Sequence, residues 1–133
     1  MRLSLHLFLP RDVDSVPAVR RLLRAALAVL HVDRRCGDDL EIALTEACSN
    51  VVQHAAGGTG QYEVRLDVAD GLCAIDVLDD GDGFDVPESA PEQPRADSER
   101  GRGLFLIRAL SENVRMHSGP RAGSRIHFEK SFA

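Results

Sequence analysis

No stretch of this 133-residue sequence approaches the ~20 consecutive apolar residues that a membrane-spanning helix requires. The opening residues Met1-Arg2-Leu3-Ser4-Leu5-His6 lack the charged-then-apolar plan of a secretory signal, so a cytoplasmic location is expected. The three cysteines, Cys36, Cys48 and Cys73, are odd in number, far apart and without a CxxC spacing. They signal neither a disulfide framework nor a zinc site, and buried thiols are expected. A formal net charge of −5 leaves no basic surface of the kind that displaces phosphate counterions, which argues against a general nucleic-acid binder. Neither a Walker A pattern nor a full GxGxxG occurs, so the usual phosphate loops are excluded as well.

What is present is the ordinary balance of a soluble globular chain, 44% apolar and 28% charged, with the length of one domain over residues 1–133. Leu3, Leu5, Leu7 and Leu9 alternate with Ser4, His6 and Phe8 and stop at Pro10, the period of a strand. Val16, Val19, Leu22, Leu23, Ala26, Leu27 and Leu30 then repeat at helical spacing after Ser15 and Pro17. A second helix is expected from Asp38 or Asp39, with Leu40, Ala43, Leu44, Ala47 and Val51 on its core face, ending at Gly57-Gly58. Two apolar runs, Tyr62 to Ala69 and Leu72 to Leu78, flank Asp70-Gly71, a strong signal for a two-residue hairpin. A helix from Gly103 and two strands, around Asn113 to His117 and Ser124 to Phe132, complete the chain. Strands with helices covering one face make an α+β two-layer sandwich, with a mixed, largely antiparallel sheet. Between Asp85 and Arg100, Pro87, Pro91, Pro94 and many charges leave almost nothing apolar to bury. Loops of that length inside a small domain tend to be functional, and a lid is expected here.

Three segments carry chemistry. Glu46, Asn50 and His54 fall at i, i+4 and i+8 on the second helix and so line one side of it. An Asn carbonyl oxygen suits magnesium, which takes few protein oxygens, and a Glu one turn away is placed to accept a proton from an attacking hydroxyl. A plain polar helix edge would look the same, although Asn is a poor residue for a helix interior. Asp79-Asp80-Gly81-Asp82-Gly83-Phe84 follows the end of a strand. It fits a simple turn, yet Gly81 and Gly83 would also let backbone approach a flat ligand while Asp79 accepts from an amino group. Arg100-Gly101-Arg102-Gly103-Leu104 opens a helix, where free N–H groups and the positive dipole end favour phosphate. By itself it fits a hinge equally well.

In this order the segments resemble the N box (Glu46 to Ala55), the G1 box (Asp79-x-Gly81-x-Gly83-Phe84) and the G2 box (Gly101-x-Gly103-Leu104) of the GHKL, or Bergerat-fold, ATPase superfamily. Gly123-Ser124 before the last strand is similar to the Gly-Thr that supports adenine binding there. The whole chain resembles the bacterial anti-sigma-factor serine/threonine kinases, since 133 residues leave no room for the transducer domain of gyrase-type relatives. The resemblance implies ATP and Mg2+ as ligands, with Glu46 as catalytic base, Asn50 as the magnesium ligand, Asp79 as adenine reader and Arg100 as a contact to the terminal phosphate. His54, Gly81, Gly83, Gly101, Gly103, Leu104 and Ser124 would complete the nucleotide site. It further implies an anti-anti-sigma (STAS) protein as substrate, a sigma factor as bound partner and a homodimer through the first strand and helix. A non-catalytic, nucleotide-gated binding module would show the same boxes.

Overall fold

Alternating leucines build β1 (Leu3–Pro10), in which Leu3, Leu5, Leu7 and Leu9 are half-buried and the residues between them exposed. The strand leads into α1 (Ser15–Val29), whose apolar stripe of Val16, Val19, Leu23, Ala26 and Leu27 is buried. The computed structural model describes residues 1–81, 99–119 and 123–132. Gly83, Phe84 and the expected lid up to residue 98 lie outside them.

α2 (Arg34–His54) begins a full turn before the expected start. The side chain of Asp33 caps it, accepting from the Cys36 N–H at 3.4 Å, and so provides for one of the donors that a helix start leaves without an intrahelical partner. Its stripe of Leu40, Ala43, Leu44, Ala47 and Val51 is at most 1% exposed and forms the centre of the core. The strands β2 (Gln61–Ala69) and β3 (Leu72–Asp79) pair antiparallel about Asp70-Gly71. Both turn residues have positive φ, 54° and 76°, the left-handed conformation that a type I′ hairpin needs. α3 (Glu99–Leu110) starts one turn before the expected Gly103, and β4 (Glu112–Gly119) and β5 (Gly123–Ser131) close the chain.

The five strands are ordered β1-β2-β3-β5-β4, and all four pairings are antiparallel. The mixed component expected of the sheet is therefore not seen among the described residues: each neighbouring pair is joined by a hairpin or by a return crossing that reverses direction. Val64, Leu66, Val68, Ile75, Val77, Ile126 and Phe128 are buried on one face beneath the helices. The opposite face carries charge, with Arg125 and His127 both on Asp76 at 2.8 and 2.9 Å. One apolar face and one polar face are what a two-layer sandwich requires. The cysteines are buried, and burial pushes the Cys48 and Cys73 thiols up to about 12, so both stay protonated at neutral pH. Among the described residues no helix is long and apolar enough to cross a membrane.

Candidate functional site

The register of the sheet brings Asp79 and Ser124 together. Asp79 ends β3 and stands opposite Ser124 on β5 and Tyr62 on β2, so three side chains point toward the helices from one row. Both Asp79 and Ser124 are 5% exposed, and the Ser124 hydroxyl is buried without a hydrogen-bond partner among the described residues. A buried hydroxyl left in that state costs about 1–3 kcal/mol, which a ligand supplying a partner would recover. The Asp79 carboxylate is oriented from its own chain: Oδ2 accepts the N–H of Gly81 at 2.9 Å.

Gly81 is required by contact with its surroundings. A methyl group built on it would lie 2.2 Å from the carbonyl oxygen of Ala56, just past the end of α2. The strand end carrying Asp79 is thereby pressed against the helix end. Asp80 strengthens this join by accepting from the N–H and the hydroxyl of Thr59 at 3.3 and 3.2 Å.

The second cluster lies further up α2. Asn50 is 4% exposed, and its amide nitrogen has no hydrogen-bond partner among the described residues. Gly103 of α3 packs on Asn50 and Glu46 together: a methyl group there would sit 3.0 Å from Glu46 Oε2 and 3.4 Å from Asn50 Oδ1. Glycine lets α3 approach these two polar groups closely, and Leu104, 1% exposed in the core, anchors the approach. Because α3 begins at Glu99, the N–H groups of its first turn belong to Glu99, Arg100, Gly101 and Arg102, while Gly103 lies inside the helix. The side chain of Arg100 is outside the description. Beside Glu46 a groove of about 480 Å³ is lined by Arg20, Arg24, Asp38, Glu41, Ile42 and Thr45. Glu41 pairs with Arg24 and, at 3.6 Å, with Arg20.

Glu46, Asn50 and Gly103 thus meet, as do Asp79, Gly81 and Ser124, and α2 joins the two groups. His54 stands apart. It is exposed in the last turn of α2 and has no hydrogen bond or ion pair to the other site residues in the described part of the chain. Sequence reasoning overlooked Arg11, whose guanidinium lies 3.7 Å from Asp79 Oδ1. A lone Arg after Pro10 carries no periodic signal that would place it beside the end of a distant strand.

Residues 9–130 match the family described as histidine kinase-like ATPase domain. A serine-protein kinase RsbW of Bacillus velezensis is 32% identical over 120 residues, which cover 83% of this chain and 75% of the relative. Another, of Bacillus licheniformis, is 40% identical over 89 residues, covering 59% of this chain and 56% of the relative. The chain spans between half and two thirds of the length of several curated relatives it matches. Among solved structures, the RsbU and RsbW domains of Rv1364c from Mycobacterium tuberculosis superpose with a TM-score of 0.75 at 22% identity, over 97% of this chain and 32% of that one. That is a likeness of fold, and it extends at a TM-score of 0.54 to a histidine kinase domain of Erythrobacter litoralis, at 20% identity over 74% of this chain and 45% of that one. A five-stranded antiparallel sheet with three helices, Gly103 packed on α2 and Gly81 on Ala56 just past its end, agrees with these matches, and the chain belongs to the histidine kinase-like ATPase (GHKL) family.

Proposed function

We propose that the chain is an ATP-dependent serine/threonine protein kinase of the anti-sigma type, which phosphorylates a STAS-type anti-anti-sigma protein and binds a sigma factor. The observation that carries this reading is the packing of Gly103 on Glu46 and Asn50, beside a groove open to a partner. A site that only binds nucleotide has no need of a carboxylate at such a groove. The RsbW relatives, named serine-protein kinases, support the same chemistry.

In this reading Asp79 accepts a hydrogen bond from the amino group of adenine, and the Ser124 hydroxyl lies in the same row of the sheet. Asn50 would hold Mg2+ through its side-chain oxygen, a hard donor that faces Gly103 beside Glu46 Oε2, as suits a cation that takes few protein ligands. When bound, the ion neutralises phosphate charge. Glu46 takes the proton of the acceptor hydroxyl as its oxygen bonds to the terminal phosphorus; the bond to the bridging oxygen breaks and ADP leaves. Gly81 and Gly101 would give the backbone its close approach to the nucleotide. Roles for Gly83, His54 and Arg100, and a lid over residues 85–100, rest on the sequence, as does a cytoplasmic location. ATP with Mg2+ is expected to raise the melting temperature, by an amount that grows with ATP concentration, as for any ligand of the native state. An unchanged melting temperature at millimolar ATP would contradict the reading.

A homodimer through β1 and α1 belongs to the same proposal. β1 is an edge strand, its leucines are only half covered, and Phe8, Val13 and Leu22 are 69%, 72% and 45% exposed nearby in sequence. Sedimentation equilibrium should give twice the 14.5 kDa chain mass. A monomer mass at every concentration would remove this part.

A further inference from the structure

Arg11 lies outside all the motifs discussed above, yet it is built into the same end of the sheet. It follows the last residue of β1, and its backbone N–H donates to the Gly60 carbonyl at 2.9 Å. Its side chain is 11% exposed. Nη2 donates to the Gly57 carbonyl, Nε lies 3.7 Å from Oδ1 of the fully buried Asp79 side chain, and Nη1 is buried with no hydrogen-bond partner among the described residues. A guanidinium cannot shed its charge, and removing it from water is costly unless a countercharge is close. Surface arginines of this chain show the usual alternative; Arg2, for example, pairs with Asp67 in the open. The burial of Arg11 against Asp79 therefore requires an explanation beyond solubility.

We infer that Arg11 is a positioning residue of the nucleotide site, holding Asp79 as an oriented, ionised acceptor for the exocyclic amino group of adenine; this rests on the ATP-binding reading above. Oδ2 is hydrogen-bonded by the Gly81 N–H and Oδ1 lies in an ion pair with the guanidinium, so both oxygens have a favoured direction. Each oxygen has a second lone pair, so a base amino group can still be accepted. Removing the guanidinium takes a positive charge away from a buried carboxylate, which favours a proton or a rotation that would spoil the acceptor. Gly57 and Gly60, which receive the Arg11 bonds, lie on the segment that also packs on Asp80 and Gly81. The residue thus ties the loop after α2, the end of β1 and the base-reading carboxylate into one unit.

The test uses the full chain and two ligands, ATP and purine riboside 5′-triphosphate, which has hydrogen in place of the 6-amino group. Affinities are measured by calorimetry with Mg2+. The unsubstituted protein should prefer ATP by about tenfold or more, the worth of one well-made buried hydrogen bond to a charged group. R11M should bring the two affinities to within about threefold by weakening ATP while leaving the analogue nearly unchanged, because the loss falls on the amino contact alone. R11K keeps the cation and should restore most of the preference, which a purely structural role would not do. R11Q retains a donor for the Gly57 carbonyl without the charge and replaces R11M if that variant shows no cooperative melting. Wild-type preference in R11M or R11Q overturns the inference, as does tighter ATP binding, which would make Arg11 an occupant of the base pocket. If the unsubstituted protein itself shows no preference for ATP, Asp79 does not read the amino group, and the nucleotide reading falls together with the inference.

Discussion

Asp79→Asn is expected to abolish nucleotide binding while leaving a folded protein. The carboxylate has two oxygens with different duties: Oδ2 takes the Gly81 N–H and Oδ1 faces Arg11. An amide can keep only one of these. If its oxygen stays on Gly81, its NH2 group points at the guanidinium and at adenine's amino group, both of them donors. Two unpaired groups at about 1–3 kcal/mol each lower ATP affinity by about 30-fold to 10⁴-fold, and the upper part of that range takes a ligand of about micromolar affinity beyond detection. The fold should lose stability as well, since Arg11 loses its countercharge, though its bond to the Gly57 carbonyl remains. Equilibrium dialysis with labelled ATP, alongside a melting curve, separates the two effects. Binding within about tenfold of the parent in a folded Asp79→Asn variant would contradict the assignment of the base pocket.

Glu46→Ala should behave in the opposite manner, binding ATP within about threefold of the parent yet transferring phosphate about 10²–10⁴ times more slowly, the usual worth of a general base. Glu46 is half-buried at the groove lined by Arg20, Arg24 and Thr45. Its Oε2 is the nearest atom to the missing side chain of Gly103, so truncation relieves packing there and opens space. Glu46→Gln keeps the volume and removes the basicity, and it should show the same rate loss; a large difference between the two would point to packing in place of proton transfer. The readout is the single-turnover rate at saturating ATP. An unchanged rate in both variants would leave the nucleotide-gated binding module as the better reading.

Patterns that depend on local spacing were legible before any coordinates. The leucine alternation of β1, the Asp70-Gly71 turn and the stripe from Leu40 to Val51 all reappear as expected. The start of α2 was misplaced because Arg34, Arg35 and Gly37 surround a single apolar residue of its first turn, the buried Cys36 four residues before Leu40, and the Asp33 cap lies ahead of them. The start of α3 was missed for a similar reason: Glu99 to Arg102 are charged residues and a glycine, and the apolar period begins at Leu104. Strand order was not legible, since nothing local tells β5 to lie between β3 and β4. The site divides along the same line. Glu46 and Asn50 were visible because i, i+4 spacing is a property of one helix. The opposition of Asp79 and Ser124 depends on long-range register, and only their common assignment to an adenine site came from the resemblance to a family. Arg11 has neither signal, being a single residue joined to Asp79 through the tertiary fold.

Phosphoryl transfer to a protein hydroxyl can be observed directly. The protein should be incubated with ATP labelled in the terminal phosphate, Mg2+ and a STAS-type partner, and the partner's label then treated with acid. The account predicts label on the partner that survives acid, as a serine or threonine phosphate does, and that is lost with Glu46→Gln. ATP bound tightly with no label on the partner, or label that acid removes as it does from phosphohistidine, would contradict it.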